Sequence, residues 1–319
     1  MDCFSQRSPH IVVRRQAYRR EHAVDEATSA HSPHQAIDRR IRHAMRILEN
    51  EQTPLPTSAE VAERVGLSVF HFVRLFAAQV GWTPQDYGRS LIMMHAASRI
   101  RYSTDPIKVV ARDFGYAKQA TFNRAFTQHH GVAPVRWRAQ AQAVISPVSG
   151  DGVRLETVPA LRCFARRYLG PRELTGAQWA DFVPRLPPDL RDRPRIGFAY
   201  DDPRVTPPGR IRHDCAVVVG DGLDLPEEMA EDGFEVLVSP AGLWAVVDVG
   251  RREIANGYRA VLDGWFQRRP DYALEGDPHL ERYGKASGGE DVVSVSLRVR
   301  PVEEDGSWNM PVVVPVTRV

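Results

Sequence analysis

Phe72-Val73-Arg74-Leu75-Phe76, followed by Gly81, Pro84 and Tyr87, returns 50 positions later as Phe122-Asn123-Arg124-Ala125-Phe126, followed by Gly131, Pro134 and Trp137. No gap is needed between the copies. Allowing one extra residue in the turn extends the match upstream, where Val61 to Ser68 answers Val110 to Ala117, with Gly66 and Gly115 in equivalent places. Each copy reads as a helix, a Gly-containing turn and a second helix carrying an outward Arg. That is the helix-turn-helix pattern, whose second helix can lie in the major groove. Two copies on one polypeptide offer two groove-reading helices.

Working outward, Ile37, Ile41, Met45 and Leu48 fall at helical spacing and predict a preceding helix. Thr57-x-x-Glu60 is a capping box that opens the next one. Ser68 is the expected cap of the first reading helix, which runs to about Gln79. Thr83-Pro84 places an N-cap before a proline at the first helical position. The helix it starts extends to about Arg101, with Tyr87, Leu91 and Met94 on one face. Asp105-Pro106 predicts the same start for the second unit, whose reader spans about Lys118 to His129 before a last helix from Pro134 to about Val144. An 18-residue linker helix is about 27 Å long. Two readers entering successive major grooves must lie about 34 Å apart, which that helix and its flanking units approach.

The chain's 319 residues suit roughly two domains. Its net charge of +2 hides an asymmetry: residues 1–145 hold 20 Lys+Arg against 12 Asp+Glu, and residues 146–319 hold 22 against 28. A basic half beside an acidic half fits a polyanion binder joined to something that avoids polyanions. Three scattered cysteines, Cys3, Cys163 and Cys215, exclude a disulfide framework or a zinc cluster and read as buried thiols of a reducing cytoplasm. No apolar run approaches a membrane span and no signal-peptide pattern opens the chain, so a cytoplasmic location is expected. Residues 1–34 read as a mobile tail, 35–145 as a helical DNA-binding domain, 146–152 as a linker and 153–319 as a second domain.

Each reading helix must face two ways. Phe72, Leu75 and Phe76, like Phe122 and Phe126, fall on the side that packs a small core. The opposite face offers Phe70, His71, Val73 and Arg74 in the first copy and Lys118, Gln119, Thr121, Asn123 and Arg124 in the second. Arg grips guanine O6 and N7, Asn and Gln suit adenine, and apolar groups suit the thymine methyl. The first reader is the more apolar, so the two half-sites should differ.

These residues resemble the AraC/XylS family of transcription regulators over about residues 35–142. The resemblance is carried by Gly66-Leu67-Ser68 and Gly81-Trp82-Thr83-Pro84 in the first unit, and by Ala120 to Phe126 with Gly131, Ala133-Pro134 and Trp137 in the second. It implies that Phe70, Val73 and Arg74, and Gln119, Asn123 and Arg124, fall where family members touch bases. Val73 is apolar where relatives often carry a polar reader.

Beyond Ser146 the texture changes to short β-rich runs with Pro and Gly punctuation. Two runs of strand, helix, strand, strand are predicted, at about 161–168, 173–186, 195–200 and 211–219, then at 243–249, 253–268, 278–284 and 291–300. The expected fold class is therefore an all-α double helix-turn-helix domain followed by an α+β domain of two pseudo-repeated β-α-β-β modules sharing antiparallel sheet. Met310 to Val319 is a candidate extra strand, and Ser287-Gly288-Gly289 a turn.

This half is similar to the GyrI-like effector-binding domain of bacterial drug-responsive regulators, through Ile196 to Pro203, Arg212 to Cys215, Tyr258 to Phe266 and Leu280 to Tyr283. Independently, Phe198 and Tyr200 alternate on one strand face, as do Glu281 and Tyr283 on another. If those strands face each other, the cleft between modules holds Phe198, Tyr200, Trp244, Trp265 and Tyr283 around the carboxylate of Glu281. Such a site suits flat, apolar or cationic molecules. Some relatives of this domain resemble small-molecule hydrolases, with Glu281 as a general base, but no nucleophile–base pair strengthens that alternative. The expected partners are double-stranded DNA and a small effector, with RNA polymerase as a further contact; no cofactor, metal or membrane is expected.

Overall fold

The computed structural model describes residues 37–51, 54–143, 149–203, 206, 208–276, 278–285 and 291–302. The expected tail, residues 146–148 of the linker, the turn at Ser287 and the strand at Met310–Val319 lie outside these residues.

The helical half comprises α1 (Arg39–Asn50), α2 (Ser58–Arg64), α3 (Val69–Val80), α4 (Pro84–Tyr102), α5 (Ile107–Asp113), α6 (Gln119–His130) and α7 (Pro134–Ala143). Local chemistry sets several ends. Thr57 and Glu60 form the reciprocal capping box of α2, Ser68 caps α3 and Thr83 caps α4 ahead of Pro84. Both reading helices end on glycine in the left-handed region, Gly81 at φ +77° and Gly131 at φ +74°, conformations that cost an L side chain energy. The start of the second unit differs from its prediction. Helix α5 begins at Ile107 with Pro106 at the cap and no side-chain cap bond, because Asp105 instead accepts from Arg99 Nε at 2.8 Å.

Helix α4 is buried on two sides. Its Leu91 and Met94 join Phe72, Phe76 and Tyr87 in one core, whereas Ile92, Met93, Ala96 and Ile100 join Phe122 and Phe126 in another. The repeated phenylalanines pack alike, Phe72–Phe76 at 5.7 Å and Phe122–Phe126 at 5.6 Å between ring centroids. Because α4 is shared by both cores, the two units form one rigid piece.

The remaining chain is an antiparallel sheet with helices, a sheet-rich α+β domain. Its path is β1 (Arg154–Val158), β6 (Gly242–Gly250), β9 (Asp291–Pro301), β8 (His279–Lys285), β3 (Arg195–Ala199), β4 (Arg212–Val218), β2 (Arg162–Leu169) and β5 (Phe234–Val238), with β7 (Tyr272–Leu274) also on β9. Helix α8 (Thr175–Arg185) follows β2, the short α9 (Glu227–Glu231) precedes β5, and α10 (Ile254–Arg259) follows β6 and continues as a π turn to Trp265. Trp179 and Phe182 of α8 cover one end of a sheet face, and Val261, Leu262, Trp265 and Phe266 cover the other end.

Residues opposite one another in a ladder share a face. Arg167 lies opposite Asp214, Asp214 opposite Phe198 and Phe198 opposite Leu280, so these sit on the face away from α8 and α10. Gly197 lies opposite Glu281, which puts Glu281 and Tyr283 on the helix-covered face. The helical half packs against the first of these faces through α1.

Candidate functional site

Two places collect the residues that chemistry singles out. The first is the outer side of α3 and α6. Phe72, Phe76, Phe122 and Phe126 point inward, fully buried, which turns Phe70, His71 and Arg74 outward on α3 and Lys118, Gln119, Thr121 and Arg124 outward around α6. Phe70 is 75% exposed, unusual for so large an apolar group, and the Arg74 guanidinium lies over its ring at 5.6 Å. Val73 and Asn123 are half-buried, and Val73 packs against the first core. Neither helix presents this side to the sheet-rich half. Among the described residues no carboxylate pairs with Arg74, Lys118 or Arg124, so their charge is available to an anionic partner.

The second place is the helix-covered face of the sheet, between α8 and α10. Glu281 is fully buried there. Its Oε1 accepts from Tyr258 OH at 3.0 Å and from Arg172 Nη2, and its Oε2 accepts from Tyr283 OH at 2.8 Å. Burial raises its proton affinity, but the Arg172 charge and these hydrogen bonds overcome that and hold its carboxyl below the usual range. His213 stands beside it, Nε2 to Oε2 at 3.8 Å. A Cβ on Gly197 would come within 2.6 Å of His213 Nε2, so the glycine makes room for the imidazole. Burial pushes His213 below its ordinary value, so the ring is neutral at pH 7, and Nδ1–H donates to Gln178 Oε1 at 3.0 Å.

The predicted cleft is thus corrected in its membership. Tyr283 and Glu281 are brought together. Phe198, Tyr200 and Trp244 belong to the core on the opposite sheet face, because β3 lies beside β8 in register rather than across from it. Trp265 packs beneath its own helix against Tyr272 at 5.5 Å. The groups that gather around Glu281 and His213 instead, Arg172, Gln178, Trp179 and Tyr258, come from three further segments. For His213 the local signal was Arg212-His213-Asp214, three polar groups opening an otherwise apolar strand.

Tyr200 has a different neighbourhood, between the halves of the molecule. Arg46 of α1 reaches Asp214 at 2.7 Å and Glu235 at 2.5 Å and donates to Tyr200 OH at 3.1 Å. Glu49 of α1 meets Arg167 at 2.8 Å and Arg212 at 3.3 Å and accepts from Tyr87 OH at 2.5 Å. Arg212 also pairs with Asp201 at 2.7 Å. All of these charges are buried. Arg42, Arg46 and Glu49 at helical spacing on an otherwise apolar stripe, together with Arg166-Arg167 within β2, were the legible trace of this interface.

Two helix-turn-helix units with outward arginines, joined to a sheet that buries a carboxylate between helices, define a DNA-binding transcription regulator. The comparisons agree: residues 61–140 match the family model of a helix-turn-helix domain, and residues 153–299 match that of a GyrI-like small molecule binding domain. The multiple antibiotic resistance protein MarA of Escherichia coli (strain K12) is 33% identical over 92 residues, 29% of this chain and 72% of that protein. The regulatory protein SoxS of the same strain is 33% identical over 78 residues, 24% of this chain and 73% of that protein. Among solved structures, the EcmrR C-terminal domain is similar with a TM-score of 0.37 and 14% identity, covering 47% of this chain and 98% of that one. The chain belongs to the AraC/XylS family of transcription regulators and carries a C-terminal GyrI-like domain.

Proposed function

We propose that α3 and α6 read two adjacent major-groove half-sites, through Phe70, His71, Val73 and Arg74 on one and Lys118, Gln119, Thr121, Asn123 and Arg124 on the other. The observation that carries this reading is the matched exposure of Arg74 and Arg124 on helices built upon one shared rod, α4. The first half-site should favour thymine methyls beside Phe70, and the second a purine-rich edge. Selection of bound duplexes from a random pool tests it. Two unlike half-sites about one helical turn apart are expected, and enrichment of a single short motif counts against paired reading.

The GyrI-like half is read as the sensor, with Glu281 as the counter-charge for a small cationic or apolar effector held between α8 and α10. A carboxylate taken wholly out of water costs several kcal/mol unless cations and donors compensate it. A fold that retains one beside Tyr258 and Tyr283, with Trp179 packed on Tyr283, is suited to cation binding. Glu281→Gln should weaken a cationic ligand far more than a neutral one of the same shape. Calorimetry with both decides it, and equal losses remove Glu281 from charge matching.

Sensing is favoured over turnover. Cys215 Sγ lies 3.8 Å from His213 Nδ1, but burial raises the thiol and lowers the imidazole, which disfavours the thiolate–imidazolium pair that a cysteine nucleophile needs. A bound compound should be recovered unchanged after prolonged incubation. We read β2-α8-β3-β4 and β6-α10-β8-β9 as related modules meeting at the β3–β8 ladder, with the effector site on the seam between them. Regulation of transcription by a cytoplasmic protein is the setting these features fit.

A further inference from the structure

The contacts that would greet a cation at Glu281 are held by a residue of the chain itself. Arg172 lies on a three-residue 3-10 turn, Arg172–Leu174, between β2 and α8. Its guanidinium pairs with the fully buried Glu281 and lies over the Tyr258 ring at 4.6 Å. The Arg172 side chain keeps 24% of its surface exposed while Glu281 keeps none, so the arginine links the surface to the buried carboxylate. A side chain on a short surface turn can leave by rotamer changes alone, whereas Glu281 is fixed in the β3–β8–β9 ladder.

One acceptor beside this pair is unused. His213 Nε2 is buried, has no hydrogen-bond partner and stands 3.8 Å from Glu281 Oε2. Its ring offers a lone pair there, because Nδ1–H is committed to Gln178. A buried acceptor without a donor has lost its water and gained nothing in exchange. A ligand that supplies an N–H to that atom while satisfying Glu281 recovers this loss, and a quaternary ammonium or phosphonium, which has no N–H, does not. A planar amidinium or guanidinium has several N–H groups in fixed directions and a face that stacks on tyrosine.

We infer that the Glu281 site selects aromatic ligands bearing an amidinium or guanidinium group, and that such a ligand enters by displacing the side chain of Arg172, a resident competitor with the same head group. This rests on the reading of the cleft as an effector site. The internal arginine sets the specificity: a ligand must outmatch a guanidinium already in place, so weak or purely apolar cations are rejected. Affinity in the intact protein is lowered by the fraction of time Arg172 occupies the site.

Calorimetry on the full chain tests this with two probes of one charge and one ring, benzamidine with N–H groups and benzyltrimethylammonium without. Arg172→Ala should bind benzamidine at least tenfold more tightly than the parent, and tenfold more tightly than it binds benzyltrimethylammonium. Adding Glu281→Gln to Arg172→Ala should erase both gains. Because removing Arg172 leaves Glu281 without its cation, Arg172→Gln serves as a second variant, and thermal unfolding should show benzamidine raising the midpoint of either variant more than that of the parent. Unchanged or weaker benzamidine binding in both Arg172 variants overturns the displacement, and equal binding of the two probes overturns the N–H selection. If the parent binds both cations well and Glu281→Gln changes neither, the effector-site reading itself is wrong, a separate failure.

Discussion

Glu49, near the end of α1, and Arg167, within β2, meet at 2.8 Å in the interior, joining the helical half to the sheet-rich half. The pair is part of a buried set in which Arg46, Arg167 and Arg212 face Glu49, Asp201, Asp214 and Glu235. Strand β4 contributes to both sites at once: Arg212 and Asp214 point to this interface and His213, between them, points to Glu281. A shift of β4 at one site is therefore felt at the other.

Breaking the interface should cost more than an exposed pair would. Glu49→Gln leaves Arg167 and Arg212 buried with reduced compensation, and such a loss is expected to destabilise by about 3–5 kcal/mol. Urea unfolding measures it. A loss under about 1 kcal/mol, the range of exposed pairs, would show that the halves do not depend on this contact.

Replacing Arg124 with alanine should lower affinity for the selected operator by about 1–3 kcal/mol and relax preference at one base position. Competition with operators altered one base at a time reads this out. A uniform loss on every sequence would assign Arg124 to phosphate instead.

Operator affinity should fall as salt rises, since the exposed basic groups displace counterions from phosphates. Even two neutralised phosphates give roughly a tenfold loss between about 50 mM and about 200 mM salt. Titration by fluorescence anisotropy across that range provides the slope, and a flat response contradicts electrostatic docking of α3 and α6.

Stability should decline on acidification in two stages. His130 packs against Phe126 at 4.4 Å and is pushed down to about 3, mainly by burial. The unfolded state takes up a proton near the usual value of 6.5 and the folded state does not, so this stability is complete above that value and shrinks as pH falls toward the folded one. At about pH 5 the loss is about 2 kcal/mol. The second stage comes from Glu49 and Asp214, which neighbouring arginines hold well below the carboxylate range against the cost of burial. Their contribution is present above the usual carboxylate pKa and disappears as pH drops toward their folded values. His130 occupies the place that Val80 holds in the first unit, so His130→Val should shrink the first stage, to which His129 and His213, also lowered by burial, contribute as well, and leave the second. Urea midpoints measured from neutral to acid pH separate them, and an unchanged first stage in the variant assigns it to other groups.

Much of the helical half was legible because its signals are local. A cap, a glycine and an apolar period act within one or two turns, so α2, α3 and α4 begin where Thr57, Ser68 and Thr83 place them. Asp105 misled for a tertiary reason: Arg99 takes its carboxylate, and a lone cap residue cannot announce that competition. In the sheet, alternation assigned Glu281 and Tyr283 to one face of β8, and Phe198 together with Tyr200, just past the end of β3, to one side, as the structure has them. What failed was relating the strands. Side-chain period tells which residues of a strand travel together, but strand order and register decide which sets meet.

From its residues alone this protein declared two groove-facing helices on a shared rod, a basic half and an acidic α+β half, since each rests on interactions spanning a few positions or on summed charge. The tertiary structure decided which charges come to rest against which: Arg46 and Glu49 against β2, β4 and β5, and Arg172 on Glu281. Those pairings join residues more than 100 positions apart and repay desolvation only in one arrangement of the folded chain, so no stretch of sequence carries them by itself.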